Sequence, residues 1–295
     1  MLAEVLRHLR CPVCAGELNA LGSALVCARG HAFDVARQGY ANLLTGRASP
    51  GGVDTPTMVA DRAELLAAGH FDFLSDALAN AAVAHAPPHG PYPPGLVVDI
   101  GAGTGHHLAA VLRRLPARHG LAVDVAKAAA RRAARAHPRA AAVVCDTWRG
   151  LPVADGCADL VLNVFAPRNG AEFQRILRPE GSLIVVTPRA DHLRELVGEL
   201  GLIEVDPDKD RRLQAALGEW FRLRTQREYG HTLELGRDDA ARLVSMGPSA
   251  WHIDRARLSR RLAEWPEPLR VKASVDLRVY HPKFMIARGS AGREY

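Results

Sequence analysis

Lysine is nearly missing from this chain. Only Lys127, Lys209, Lys272 and Lys283 occur, so arginine supplies almost all of the 38 basic side chains. Against 32 acidic residues the net charge is +6 and the pI about 9.3. Arginine suits bidentate phosphate contact, so the charge fits either a basic globular protein or one with a polyanionic partner. Long apolar runs are also absent, which argues against a helix that crosses a membrane. Residues 2–10 are too short and too charged for a signal peptide, and export is not expected. Cysteine is scarce, with 5 in 295 residues and three of them close to the N-terminus. That distribution fits a reducing cytoplasm and a metal site better than a disulfide framework. What is present in quantity is hydrophobic sequence, 48% of the chain. It supports a packed core and one large domain with an appendage, or two domains.

The three early cysteines form a pattern with one histidine. Cys11-Pro12-Val13-Cys14 is followed after twelve residues by Cys27 and then by His31. Two close pairs of soft ligands joined by a short hairpin match a closed tetrahedral zinc site. The segment 17–26 forms that hairpin, turning at Leu21-Gly22-Ser23. So small a unit cannot bury a core, and a metal substitutes for one. Four protein ligands leave no position for water, so the zinc is structural. Cys145 and Cys157 read as small core residues.

The next stretch, 32–44, offers Phe33, Tyr40, Leu43 and Leu44 as packing points. Residues 47–56 are rich in Gly, Pro, Ser and Asp and read as a loop. Helical spacing over 57–68 is broken at Gly69-His70-Phe71 and resumes over 73–85. Phe71 is then either a packing residue at a helix break or a cover over a ligand. A proline-rich linker, 86–95, leads into the next strand.

From residue 96 strands and helices alternate. Strands are expected at 96–100, 121–124, 141–145, 158–165 and 182–187. The helices between them fall at 106–115, 126–136 and 170–177, the last ended by Pro179-Glu180-Gly181. Alternation of this kind gives a parallel, doubly wound α/β sheet, with ligands beyond the carboxyl ends of the strands. The first strand runs into Gly101-Ala102-Gly103-Thr104-Gly105. Glycines there let the backbone turn tightly and approach a ligand, and the following helix aims free N–H groups at the same spot.

Acids at successive strand ends choose the ligand. Asp124 lies about twenty residues after the glycines and can accept both hydroxyls of a ribose, which fits NAD as well as S-adenosylmethionine. Asp99, just before the glycines, suits a positively charged ligand group and not a pyrophosphate. The glycine spacing is G-x-G-x-G, not the dinucleotide G-x-G-x-x-G. Asp146, after the third strand, can accept from an adenine amino group. Taken singly these are ordinary loop-end carboxylates. Taken together they favour S-adenosylmethionine over NAD.

The GAGTG turn, the strand-end acids and LPVADGCADLVLNVFAP resemble a class I S-adenosylmethionine-dependent methyltransferase, a Rossmann-like fold. The CPVC…CARGHAFD unit, QGYANLL, the Asp54/Met58/Arg62 stretch, GHF, VFAP, PRADHL and MGPSAW make the chain similar to the 23S rRNA guanine-N1 methyltransferase family, which includes macrolide-resistance enzymes. These motifs span nearly the whole sequence. The resemblance implies Cys11, Cys14, Cys27 and His31 as zinc ligands and Gly103 and Thr104 as cofactor contacts. Gly101 and Gly105 complete that turn. It places Phe71 where the family tends to have Tyr, so that only apolar cover of the cofactor remains. His192 matches a histidine at the cofactor, and His106 and His107 occupy positions that are aromatic in some relatives. Asn163 opens the NVFAP segment, where class I enzymes usually meet the target base. No residue there stands out as the base that accepts the guanine proton.

The implied organisation is a zinc-binding RNA-recognition domain over 1–46, a helical connector and cofactor lid over 47–95, and the methyltransferase domain over 96–295. In the last third, a strand is expected at 219–235, helices at 237–246 and 258–265, a turn at 247–251 and an antiparallel strand at 271–280. Residues 282–295 read as frayed, and the charged segment 206–212 as a mobile flap. The arginine clusters at 131–135, 211–212, 222–227 and 255–261 are solvated faces or tracks for RNA phosphate. The expected reaction is methylation of guanine N1 in the loop of hairpin 35, domain II of 23S rRNA, in the 745/748 region with 748 favoured. The resemblance also implies resistance to tylosin-type macrolides. The partner is then 23S rRNA, with no membrane, and a homodimer stays open. One rival is a methyltransferase acting on a small molecule, which needs neither the zinc unit nor the basic charge. The other is a zinc-ribbon RNA-binding protein with an inactive cofactor fold, against which the intact GAGTG and Asp124 argue.

Overall fold

The structure is a computed structural model. It describes residues 2–46, 53–88, 93–200, 202, 204–251 and 254–283. The N-terminal unit contains α1 (Leu2–Val5), β1 (Leu18–Leu21), β2 (Ala24–Cys27), β3 (Ala32–Asp34) and β4 (Tyr40–Asn42). Two helices follow, α2 (Pro56–Ala67) and α3 (Asp72–His85). The alternating part runs β5 (Gly95–Ile100), α4 (His106–Arg114), β6 (Arg118–Asp124), α5 (Lys127–Ala133), β7 (Ala140–Val144), β8 (Ala158–Val164), α6 (Gly170–Ile176) and β9 (Leu177–Pro188). The last third holds α7 (Arg194–Leu200), α8 (Lys209–Leu217), β10 (Phe221–Leu235), α9 (Arg237–Ser245), α10 (Arg255–Ala263) and β11 (Leu269–Pro282).

One 8-stranded sheet carries the molecule, in the order β10-β11-β9-β8-β5-β6-β7-β4. The strands from β9 to β4 are parallel, and β11 runs antiparallel to both β9 and β10. Strand order reverses between β8 and β6, on either side of β5, which puts the switch point directly after the glycine turn. This is the class I methyltransferase arrangement. Its eighth strand comes from the N-terminal unit: β4 pairs with β7 at the sheet edge.

Each central strand is buried on both faces, so it reads as an unbroken apolar run rather than an alternating one. Alternation still assigns the faces. Val97, Ala122, Leu160 and Ile184 pack toward α2, α3 and α4. Val98, Val123, Val161 and Val185 pack toward the N-terminal unit, α6 and α8. That second cluster is continuous from Leu9, Leu25 and Leu43 through Val98 to Phe173 and Leu217. Asp99 and Asp124 therefore face the helical layer, and Asn163 faces the layer that contains the zinc unit.

Three details differ from the sequence expectations. Pro179-Glu180-Gly181 does not end α6; the chain is already extended at Leu177 and these residues lie within β9. Segment 206–212 is not a free flap. It contains the first residues of α8, tied down by Lys209 to Asp276 at 3.4 Å and by Arg278 to Asp210 at 3.0 Å. The Arg-rich helix ends at Ala133, earlier than expected. Within the loop expected over 47–56, residues 47–52 lie outside the described residues. So do residues 89–92 of the linker and the tail beyond Lys283.

Candidate active site and metal centre

The metal centre is built by two turns. Backbone bonds from Cys11 N to Gly16 O (2.7 Å) and from Ala15 N to Cys11 O (2.8 Å) close the CPVC turn. A second turn, Gly30 N to Cys27 O at 2.9 Å, brings His31 back against Cys27. The ligand atoms of Cys11, Cys14, Cys27 and His31 all lie within 4.8 Å of one another. Cys14 Sγ and Cys27 Sγ are 3.7 Å apart, and Cys27 Sγ is 3.3 Å from His31 Nδ1. Four thiolate-type ligands around zinc would be separated by about 3.8 Å, so the donor set and its spacing fit a tetrahedral ion. Cys145 and Cys157 are buried elsewhere, and burial pushes the Cys157 thiol up to about 11, which keeps it neutral.

The glycine turn is held by its own geometry and by Asp124. Gly101, Gly103 and Gly105 adopt φ of 71°, 53° and 77°. A Cβ on Gly101 would lie 2.5 Å from Ala166 Cβ, and one on Gly105 would lie 2.9 Å from the Ala133 backbone. No other residue fits either place. Asp124 Oδ2 accepts from Gly103 N–H at 2.8 Å, and Oδ1 accepts from Ala126 N–H at 2.8 Å. Burial raises the Asp124 pKa, and these two N–H donors oppose the shift. Both oxygens keep a free lone pair for a ribose.

Asp99 lies beneath the turn, 2% exposed. Burial and then the Asp124 charge push its carboxyl up to about 7. A buried carboxylate of this kind is costly unless a cation joins it. The ammonium and sulfonium of S-adenosylmethionine supply that charge, and a pyrophosphate does not. Thr104 is buried in the same turn.

The Asp54/Met58/Arg62 motif lies at the start of α2. Arg62 donates to Asp54 Oδ2 at 2.5 Å and to Met246 O at 2.6 Å. Its Nη1 is 3.4 Å from where a Gly103 Cβ would stand. The motif on α2 and the MGPSAW segment after α9 are thus clasped over the glycine turn. The signal in the sequence was the pairing of an acid and an arginine eight residues apart, across a helix start.

The histidines divide. His107 is locked to Ser75 Oγ at 3.0 Å, and burial drives its pKa down to about 3. It joins α4 to α3. His106 starts α4 with its Nε2 buried and unpaired, 3.8 Å from Asp72 Oδ1. Phe71 is 3% exposed, at the corner between α2 and α3, with its ring 6.1 Å from Phe73. His70 pairs with Asp239 at 2.9 Å and ties this corner to α9. Asp146 caps the turn 147–149 through Trp148 N–H at 3.0 Å, the ordinary role for such a residue.

On the acceptor side, Asn163 is fully buried. Its Nδ2 donates to Pro167 O at 2.9 Å, while its Oδ1 has no partner. That bond pins the loop 165–168. Phe165 is left 45% exposed with φ 52°, a left-handed conformation that costs about 1 kcal/mol outside glycine. Its ring rests 5.8 Å from His192. His192 Nδ1 lies 3.0 Å from Ser274 O and 3.1 Å from Ser274 N, and burial holds its pKa down at about 4, so the ring is neutral.

Two family models match this architecture. The zinc-ribbon family described as "RlmA, N-terminal" covers residues 9–47, and "Methyltransferase domain" covers 97–181. A Micromonospora griseorubida protein that carries the provisional name 23S rRNA (guanine-N(1)-)-methyltransferase is 54% identical, over 96% of this chain and 100% of its own length. The 23S rRNA (guanine(748)-N(1))-methyltransferase of Streptomyces fradiae is 50% identical, over 96% of this chain and 99% of its own length. Among solved structures, geranyl diphosphate methyltransferase in complex with SAM aligns with TM-score 0.41 and 15% identity, over 70% of this chain and 85% of that one. The glycine cradle, the Cys3His cluster and the full-length relatives agree: this chain is a zinc-ribbon, S-adenosylmethionine-dependent enzyme of the 23S rRNA (guanine-N1)-methyltransferase family.

Proposed function

We propose that this chain methylates N1 of guanine 748 in the loop of hairpin 35 of 23S rRNA, in the cytoplasm, and that the modification protects ribosomes from tylosin-type macrolides. One observation carries the reading. The cofactor turn and the loop after β8 abut at Gly101 and Ala166, so an exposed Phe165 stands beside the methyl donor's cradle. Support for guanine 748 comes from the Streptomyces fradiae relative, which is named for that nucleotide.

The residues take the following roles. Asp99 receives the cofactor's ammonium and Asp124 its ribose hydroxyls; Asp146 accepts from the adenine amino group. Glycines 101, 103 and 105 and Thr104 give close backbone approach, while His106 and Phe71 line the helical side. S-adenosylmethionine, when bound, supplies an electrophilic methyl group. A loop guanine is splayed out of its stack and laid on Phe165, whose ring is backed by neutral His192. Asn163 fixes the loop so that N1 meets the donor in line. N1 carries a proton at neutral pH, and the nucleobase becomes nucleophilic as that proton leaves.

Primer extension on 23S rRNA from cells lacking and regaining the protein tests this reading. N1 methylation blocks Watson–Crick pairing, so a stop one nucleotide before guanine 748 must depend on the protein. A protein-dependent stop at another guanine of the loop would refute the nucleotide assignment. No dependent stop in hairpin 35 would refute the hairpin.

A further inference from the structure

Arginines that leave the surface in this fold are given partners. Arg118 meets Asp159 at 2.9 Å, Arg175 meets Glu172 at 2.8 Å, Arg62 meets Asp54, and Arg278 meets Asp276 at 3.2 Å. Arg139 donates to main-chain carbonyls, among them Leu115 O at 2.8 Å. Arg168 differs. It is half-buried, its Nε is fully buried with no hydrogen-bond partner, and no carboxylate among the described residues pairs with it.

Its surroundings make this worse rather than better. Burial lowers its pKa, Tyr280 opposes that shift, and the Arg278 guanidinium adds to it. Arg278 shares a cross-strand row with Val185 and Asn163, on the face of the sheet toward α6 and α8. Arg168, in the loop after β8, thus feels the field of a second guanidinium on β11. Arg278 is answered by Asp276 and Asp210, so the charge left without a counter-ion as it leaves water is that of Arg168. An anion placed against the Arg168 guanidinium offsets that cost.

We propose that Arg168 forms a phosphate subsite for the rRNA substrate, gripping a phosphodiester that flanks the nucleotide laid on Phe165. The inference rests on the loop after β8 being the place where the target base is received. Arg168 follows Phe165 by three residues, and the loop between them is pinned by the Asn163–Pro167 bond. A full negative charge suits the site better than a guanine edge. Guanine O6 and N7 are neutral acceptors and do not offset the charge of Arg168, the guanidinium left without a carboxylate, whereas a phosphodiester does. The contact positions the strand without reading sequence.

Arg168→Gln and Arg168→Lys, made in the full-length chain, test it. Binding of full-length 23S rRNA transcript is measured at several KCl concentrations, and S-adenosylhomocysteine affinity by calorimetry. Arg168→Gln is expected to weaken RNA binding about tenfold and to reduce the salt slope by about 0.7, one single-stranded phosphate contact. Arg168→Lys keeps the slope and recovers part of the affinity, because it restores charge without the planar fork. Both leave cofactor affinity within about twofold of wild type. A wild-type slope in Arg168→Gln overturns the proposal, as does a weakened affinity with an unchanged slope. Loss of cofactor binding in Arg168→Gln also overturns it, since the cation would then be structural. Modification mapped to a different guanine overturns the function proposed above but leaves these slopes readable.

Discussion

With Asp99 as the proposed partner of the cofactor's ammonium, cofactor binding should depend on pH. Its carboxyl titrates at about 7, against 3.8 for a free one, because it is buried and faces Asp124. A ligand ammonium needs the ionised form. With that pKa, roughly nine-tenths of the chains are ionised at pH 8 and one-tenth at pH 6. Apparent affinity for S-adenosylhomocysteine, which keeps the ammonium, should fall about tenfold between those values, about 1.4 kcal/mol. Asp99→Asn should bind weakly at both and lose the pH dependence. Stability moves the other way. The folded pKa lies above the unfolded one, so the folded chain holds the extra proton between them. The stability contributed is complete below about pH 4 and is lost as pH rises through 7. Asp99→Asn should therefore melt higher than wild type at pH 8. Calorimetric titrations at pH 6, 7 and 8, with thermal melts of both proteins, measure both effects. A wild-type affinity flat across that range, or an Asp99→Asn that melts lower at pH 8, would refute the assignment of Asp99 as the unpaired carboxylate awaiting a cation.

Other perturbations follow from the same geometry. Cys27→Ser removes one of four clustered ligands; zinc per chain by atomic absorption should approach zero, and amide exchange in β1 to β3 should become fast as about 10 kcal/mol of metal binding is withdrawn. Gly105→Ala forces a left-handed alanine with its Cβ 2.9 Å from backbone; thermal melts should show a loss of about 2–4 kcal/mol. Arg118→Met removes one of two arginines from fully buried Asp159, Arg178 remaining at 2.7 Å; denaturant unfolding should report about 1–3 kcal/mol. Phe165→Ala should lower kcat/KM for RNA by about 1–3 kcal/mol of stacking, with S-adenosylhomocysteine affinity unchanged by calorimetry.

Much of this site could be read from the chain because local chemistry writes it there. The zinc ligands are close in sequence, and turn residues fix their approach. The glycines must be glycines, since positive φ and a neighbouring Ala166 or Ala133 leave no room. Strand-end acids follow from the alternation itself. What escaped notice is set by contacts distant in sequence. β4 is three residues long and carries no periodicity, and its partner β7 begins about a hundred residues later. Arg62 meets Met246 across most of the chain. Pro179-Glu180-Gly181 reads locally as a stop, but β8 pairs on both sides of it, at Leu177 and again from Ser182, so the strand continues across a bulge. The acidic start of α8 reads as a solvated flap until Arg278 and Asp276, from β11, are brought against it.

The strand β4 has a consequence beyond topology. Without it, β7 would be the outermost strand of a parallel sheet, apolar on both faces and open along one side. Such a margin templates the addition of foreign strands. The zinc unit closes it through β4, so withdrawing the metal should loosen the piece that covers this margin. Metal-depleted protein should therefore be lost first as aggregate, with the rest of the sheet still folded.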